Sequence, residues 1–205
     1  MRNQKVYDLV ILATFLTIIA VLTFTPLGYI TFTPAVGATI VHIPVLVACL
    51  YFGMRIGWKT GLIFGLSSWI VALTRAVLPM DFVFRNPIVS VLPRVLFAII
   101  AVLIFKLLLR VIKNYYACMV ITAVLSTILH AAMVLSLLVI FGQHALTQIY
   151  GNVSMSTIMG FIKFVIVSNT IAESIIAGVV VPPIVYALHS LTHKFDNPDL
   201  LKIED

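Results

Sequence analysis

Charge is scarce in this chain. Asp, Glu, Lys and Arg make up only 10% of its 205 residues, against 62% hydrophobic, where soluble domains carry roughly 25% charged and 45–50% apolar residues. So little charge cannot cover a surface facing water, which excludes a soluble globule, and so apolar a chain is not a disordered one. Nucleic acid is excluded as a partner, because 13 Lys and Arg scattered between apolar runs build no basic face. Acid is scarcer still at 7 Asp and Glu, and no pair is placed for two-carboxylate or two-metal chemistry. Cysteine is nearly absent. Cys49 and Cys118 lie in or against apolar runs without metal-ligand spacing, so neither a disulfide framework nor a zinc site is implied and both read as packing residues. A His-Glu-x-x-His motif is missing, and Gly65-Leu66-Ser67-Ser68-Trp69 lacks the second glycine of a nucleophile elbow. No enzyme, metal or cofactor is expected.

What the chain does have is length without charge. No charged residue occurs between Asp8 and Arg55, or between Lys113 and Lys163, and each stretch is long enough for two crossings of about 20 residues. The pattern predicts an all-α integral membrane protein with six transmembrane helices, at Leu9–Phe24, Thr39–Phe52, Gly57–Leu73, Ile88–Leu109, Ala117–Phe141 and Phe161–Leu191. The ~10-residue alternating segments of a β-barrel are absent, and open sheets cannot satisfy their backbone in lipid. The second span is short and the last long, which calls for tilting, burial against neighbours or a kink at Pro182-Pro183. One membrane domain is expected over residues 1–192, followed by a short polar tail over 193–205. The first span lacks a small-x-small cleavage site and is expected to stay. Cytoplasmic loops collect Lys and Arg. An inside N-terminus gives the inner side Arg2, Lys5, Arg55, Lys59, Lys106, Arg110, Lys113, Lys194 and Lys202, and leaves Arg75, Arg85, Arg94 and Lys163 in the outer half. Both termini are therefore expected in the cytoplasm.

Two faces of small residues stand out. Gly53, Gly57, Gly61 and Gly65 recur every fourth residue, and Ala13, Thr17 and Ala20 share a face of the first helix. Small residues at this spacing let helix backbones approach closely. Two readings stay open for them, packing within the chain and docking of another membrane protein. No ATPase motif or large soluble domain is present, so active transport would need a partner to supply energy.

Polar and ionisable side chains inside spans are costly and point to a ligand or ion path. In the fourth span, NPIVSVLPR places Asn86, Ser90 and Arg94, and the always-charged guanidinium of Arg94 suits a carboxylate or phosphate. The last span carries Ser168, Asn169 and Glu173, with the i, i+4 spacing setting Asn169 and Glu173 on one face. Glu173 either pairs with Arg94 to tie the bundle together or lies at a polar ligand site. His42 and His130 suit ligand contacts or hydrogen bonds across helices, and Trp69 suits a site wall or an interfacial belt. Trp69, the connection from Pro26 to Ala38 and the segment from Arg75 to Asn86 all fall on the expected outer side.

The run GATIVHIPVLVACLYFGMRIGWKTGLIFGLSSWIVAL, Gly37 to Leu73, followed by NPIVSVLPR, Asn86 to Arg94, resembles the substrate-binding S-component of bacterial energy-coupling factor (ECF) vitamin transporters. The HIPV, FGxxxGxxxGxxFGLSS and NPxxSVLPR patterns together carry the resemblance. It implies a six-helix protein of the bacterial cell membrane with a vitamin site near the outer face, built from outer loops and helices four to six. It also implies docking on a transmembrane scaffold subunit with two ATPases. The docking face would be formed by the first three helices, here matched by Ala13, Thr17 and the Gly57–Gly61–Gly65 ladder. The overall pattern is most similar to the pantothenate-specific S-components, ahead of riboflavin, folate or pyridoxine binders. Pantothenate offers a carboxylate to Arg94, and an amide and two hydroxyls to Asn86, Asn169, His130 or Ser90. A self-sufficient proton-coupled carrier centred on Glu173 is the competing reading.

Overall fold

The computed structural model describes residues 4–33, 36–75, 79–150 and 166–191, together with positions 154, 156, 160 and 164. Lys163 and the tail over 193–205 lie outside the described residues. Helix α1 spans Gln4–Phe24. A 3-10 turn at Pro26–Gly28 leads into strands β1, Tyr29–Thr33, and β2, Val36–Thr39, which pair antiparallel with Tyr29 opposite Thr39. Helix α2 covers His42–Phe52 and α3 Met54–Arg75. A 3-10 stretch at Pro79–Arg85 then precedes α4, Pro87–Val111, and α5, Tyr115–Tyr150. A π-helical turn at Ile166–Thr170 opens α6, Ile171–Leu191.

Among the described residues, five helices are long and apolar enough to cross a membrane, namely α1, α3, α4, α5 and α6. The second expected span differs. Its first residue, Thr39, belongs to β2, and α2 has 11 residues, a rise of about 16 Å against a hydrocarbon core of about 30 Å. It is buried along nearly its whole length, as a short core helix must be when neither lipid nor water can reach it. Of the last expected span, residues 161–163 and 165 lie outside the described residues; apart from position 164, its described part is the π turn followed by α6, which has 21 residues and contains Pro182 and Pro183.

The turn from α2 to α3 is made by Gly53, whose φ of 68° lies in the left-handed region and whose N–H bonds to the Cys49 carbonyl at 3.1 Å. Helix α3 then packs against α1, α2 and α4. A Cβ on Gly57 would sit 2.9 Å from Cys49 Sγ, one on Gly61 2.6 Å from Ala98 Cβ, and one on Gly65 2.9 Å from Val91 Cα. The glycine ladder is therefore spent inside the chain, seating α3 on α2 and α4, and its three buried rungs are not a surface for another protein. Phe97, Phe105, Leu46, Leu50, Ile56 and Met119 fill the centre. Outward-facing Leu9, Leu103, Leu107, Ile140 and Val179 are exposed apolar side chains, as a bundle solvated by lipid requires. Helix α1 is the least buried of the long helices. Ala13 and Thr17 are exposed and Ala20 half-buried on it, with the Thr17 hydroxyl bonded back to the Ala13 carbonyl at 2.9 Å.

Candidate functional site

Because α2 is short, it leaves part of the bundle's depth unfilled. His42 at its start and Phe64 of α3 flank the Phe97–His130 ring pair, and a cavity of about 600 Å3 has Phe64 and His130 in its wall. This volume is in the range of small-molecule sites. Helix α3 lines it with Phe64, Ser68, Val71, Ala72 and Arg75, one face at helical spacing. Helix α5 contributes His130 and an apolar stripe through Leu138, α6 and its π turn add Asn169, Thr170 and Glu173, and the hairpin side adds Tyr29, Thr39 and Val41.

Arg94 is placed by its own local sequence. Asn86 caps α4 by accepting the Ile88 N–H at 3.0 Å, with Pro87 in the first turn. Pro93 has no N–H to give, so the carbonyl four residues back, that of Val89, loses its helical partner. Arg94 Nη1 takes that carbonyl at 2.9 Å. The guanidinium carbon lies 5.7 Å from the Phe64 ring centre and 5.3 Å from that of Phe84, a cation held between aromatic faces. Gly61 beneath it allows α3 to approach the Arg94 carbonyl, where a Cβ would be 2.8 Å away. Arg94 is only 8% exposed, lines the cavity, and leaves Nε without a hydrogen-bond partner among the described residues.

Glu173 does not close on it. Among the described residues the one ion pair within 4.0 Å is Arg55–Asp8, at 3.5 Å. Glu173 Oε1 instead accepts the backbone N–H of Thr39 at 2.8 Å. The cavity thus holds a cation and a carboxylate that are not neutralised by contact with each other. His130 lies between Phe64 and Phe97, with ring centres 6.0 and 4.8 Å away, and its Nε2 is buried without a partner among the described residues. Such groups are costly in an apolar interior unless something meets them.

Of the residues singled out in the sequence, Arg94, His130, Asn169 and Glu173 share this cavity. Four others stand outside its lining, and their polar atoms are engaged elsewhere or enclosed. Asn86 is the helix cap. Ser90 Oγ donates to the Phe84 carbonyl at 2.6 Å and Trp69 Nε1 to the Arg85 carbonyl at 2.8 Å, so both hold the Pro79–Arg85 stretch in place. His42 is buried behind Phe97 at a ring distance of 6.3 Å. Sequence reasoning missed Tyr29, Thr39, Phe64 and Phe84. The first two lie in or beside the outer connection it did mark, but neither aromatic carries a signal that separates a cavity wall from ordinary packing.

Fold and cavity together define a class: a multi-pass membrane protein with a cavity of small-molecule size among its helices, walled in part by polar atoms that have no hydrogen-bond partner among the described residues. The family model described as ECF transporter, substrate-specific component, matches residues 7–185, and the chain belongs to this family of transporter subunits in the cell membrane. The Pantothenic acid transporter PanT of Lactococcus lactis subsp. cremoris (strain MG1363) is 28% identical, over 92% of this chain and 96% of that protein.

Proposed function

We propose that the chain captures pantothenate in this cavity and delivers it by docking on a transmembrane scaffold subunit that carries two ATPases. The observation that carries this reading is Arg94, a buried cation in the cavity wall with an unfilled Nε and no carboxylate of the described residues at ion-pair distance. It calls for an anionic group on the ligand, and a carboxylate fits its planar fork. His130 and Asn169 offer hydrogen bonds to the amide and hydroxyls of pantothenate, and Phe64, Val134 and Leu138 supply apolar wall. The likeness to a pantothenic acid transporter points to the same cargo.

Lys5, Arg55, Lys59, Lys106, Arg110 and Lys113 gather at the helix ends away from the cavity. By the positive-inside rule that end faces the cytoplasm and the cavity faces out. In this orientation α2 and the hairpin together complete a sixth passage and both termini lie inside. With the glycine ladder consumed internally, the exposed Ala13–Thr17 face of α1 is the surface left for the scaffold.

The test is a calorimetric titration of the purified chain with pantothenate, panthenol, riboflavin, folate and pyridoxine. Saturable heat is expected with pantothenate and loss of it with panthenol, which replaces the carboxylate by an alcohol. Binding of a different vitamin would reassign the cargo, and uptake by the chain alone, driven by a pH gradient, would replace the subunit reading with a proton-coupled carrier.

A further inference from the structure

The hydrogen bond from Thr39 to Glu173 joins residues 134 apart in sequence, and it joins the two walls of the cavity that lack a continuous helix. On one side is the two-stranded hairpin, carrying Tyr29 and Thr39. On the other is the π turn, carrying Asn169 and Thr170, with Glu173 in the first turn of α6. A two-stranded hairpin is marginal by itself and needs an outside tether to hold one position. Thr39 supplies that tether through its backbone N–H, which donates to Glu173 Oε1 at 2.8 Å. A carboxylate at membrane depth must in turn be satisfied, and here a donor of the hairpin meets it where Arg94 does not.

We infer that Glu173 is a positioning residue: its carboxylate pins Thr39 and so fixes the hairpin edge of the cavity, while the charge of the ligand is met by Arg94. The assignment rests on the proposed function only for its ligand measurement. It separates two properties that a direct ligand contact would combine. Pinning depends on the reach of the side chain, whereas pairing with a ligand depends on its charge. Glu173→Gln keeps the length and an acceptor oxygen and removes the charge; Glu173→Asp keeps the charge and shortens the reach by one methylene.

Amide hydrogen exchange of the ligand-free protein in detergent measures the pin directly. Exchange over residues 36–41 should rise about tenfold or more in Glu173→Asp, as loss of a hydrogen bond to a charged group implies. It should stay near the parent rate in Glu173→Gln, and protection over residues 54–75 shows that both variants are folded. Loss of hairpin protection in both variants would overturn the claim that reach rather than charge sets the pin. Unchanged exchange in Glu173→Asp, or loss confined to Glu173→Gln, would overturn the assignment. The second measurement is dissociation of radiolabelled pantothenate, expected to be faster in Glu173→Asp than in Glu173→Gln. Equal dissociation with a loosened hairpin would overturn the claim that the hairpin edge shapes the cavity. If the parent protein binds no pantothenate, the proposed cargo falls and the exchange result still decides the role of Glu173.

Discussion

The two ends of the bundle treat buried polar groups differently. At the end away from the cavity, side chains from different helices pair with one another. Tyr115 Oη and His189 Nε2 are 2.8 Å apart, Tyr51 stacks on the same imidazole with ring centres 4.7 Å apart, and Arg55 meets Asp8. At the cavity end, ionisable groups bond to backbone instead: Arg94 to the Val89 carbonyl and Glu173 to the Thr39 N–H. Helices meet at the first end through these side-chain pairs. The second end is built from a hairpin, a 3-10 stretch and a π turn, the kind of irregular backbone tolerated at membrane depth only inside protein or beside a cavity. Arg94 Nε and His130 Nε2 there have no hydrogen-bond partner among the described residues.

Substitutions can break this contrast with graded effect. The largest is expected at Gly61, which supports the cavity from below. Gly61→Leu would drive a side chain into Ala98 and the Arg94 carbonyl, and the variant should yield no folded monomer by size exclusion. Gly61→Ala should cost about 1–3 kcal/mol in thermal unfolding, as overpacking does. A folded, ligand-binding Gly61→Leu protein would show that α3 and α4 do not meet as described. Next is Arg94→Ala, expected to weaken pantothenate binding about 100-fold, the scale of a lost charge-assisted hydrogen bond, while leaving the protein folded. Unchanged affinity in calorimetry would remove Arg94 from the ligand. The smallest effect is expected at the end away from the cavity. Tyr115→Phe removes one hydrogen bond to His189 and should lower stability by about 1 kcal/mol, with pantothenate affinity unaltered. A matching loss of affinity would tie the two ends together and dissolve the comparison.

Much of this was legible in the residues. The charge-free stretches require helices in lipid, and NPIVSVLPR marked Arg94 as the cation inside the fourth span. The i, i+4 spacing of Asn169 and Glu173 brought both to the cavity. What could not be read was the choice among neighbours. Asn86, Ser90 and Trp69 looked like ligand groups because each is polar and near the outer side, yet each one's bond goes to nearby backbone that the 3-10 stretch and helix start expose. The short span predicted from Thr39 became a half-length helix, because Thr39 itself ends β2 and pairs with Tyr29.

Sequence alone determined that this chain lives in a membrane, since too few charges exist to meet water and unsatisfied backbone in lipid leaves helices as the spanning elements. It also left Arg94 two places, an interior cavity or the outer interface, because a permanent cation facing lipid is costly. Only the tertiary structure decided which side of the glycine ladder is filled, whether Arg94 and Glu173 touch, and which side chains line the cavity. A helical period tells which residues share a face. The neighbour that face meets, and the donors left unmatched there, follow from how the short α2, the hairpin and the π turn divide the same depth of bilayer.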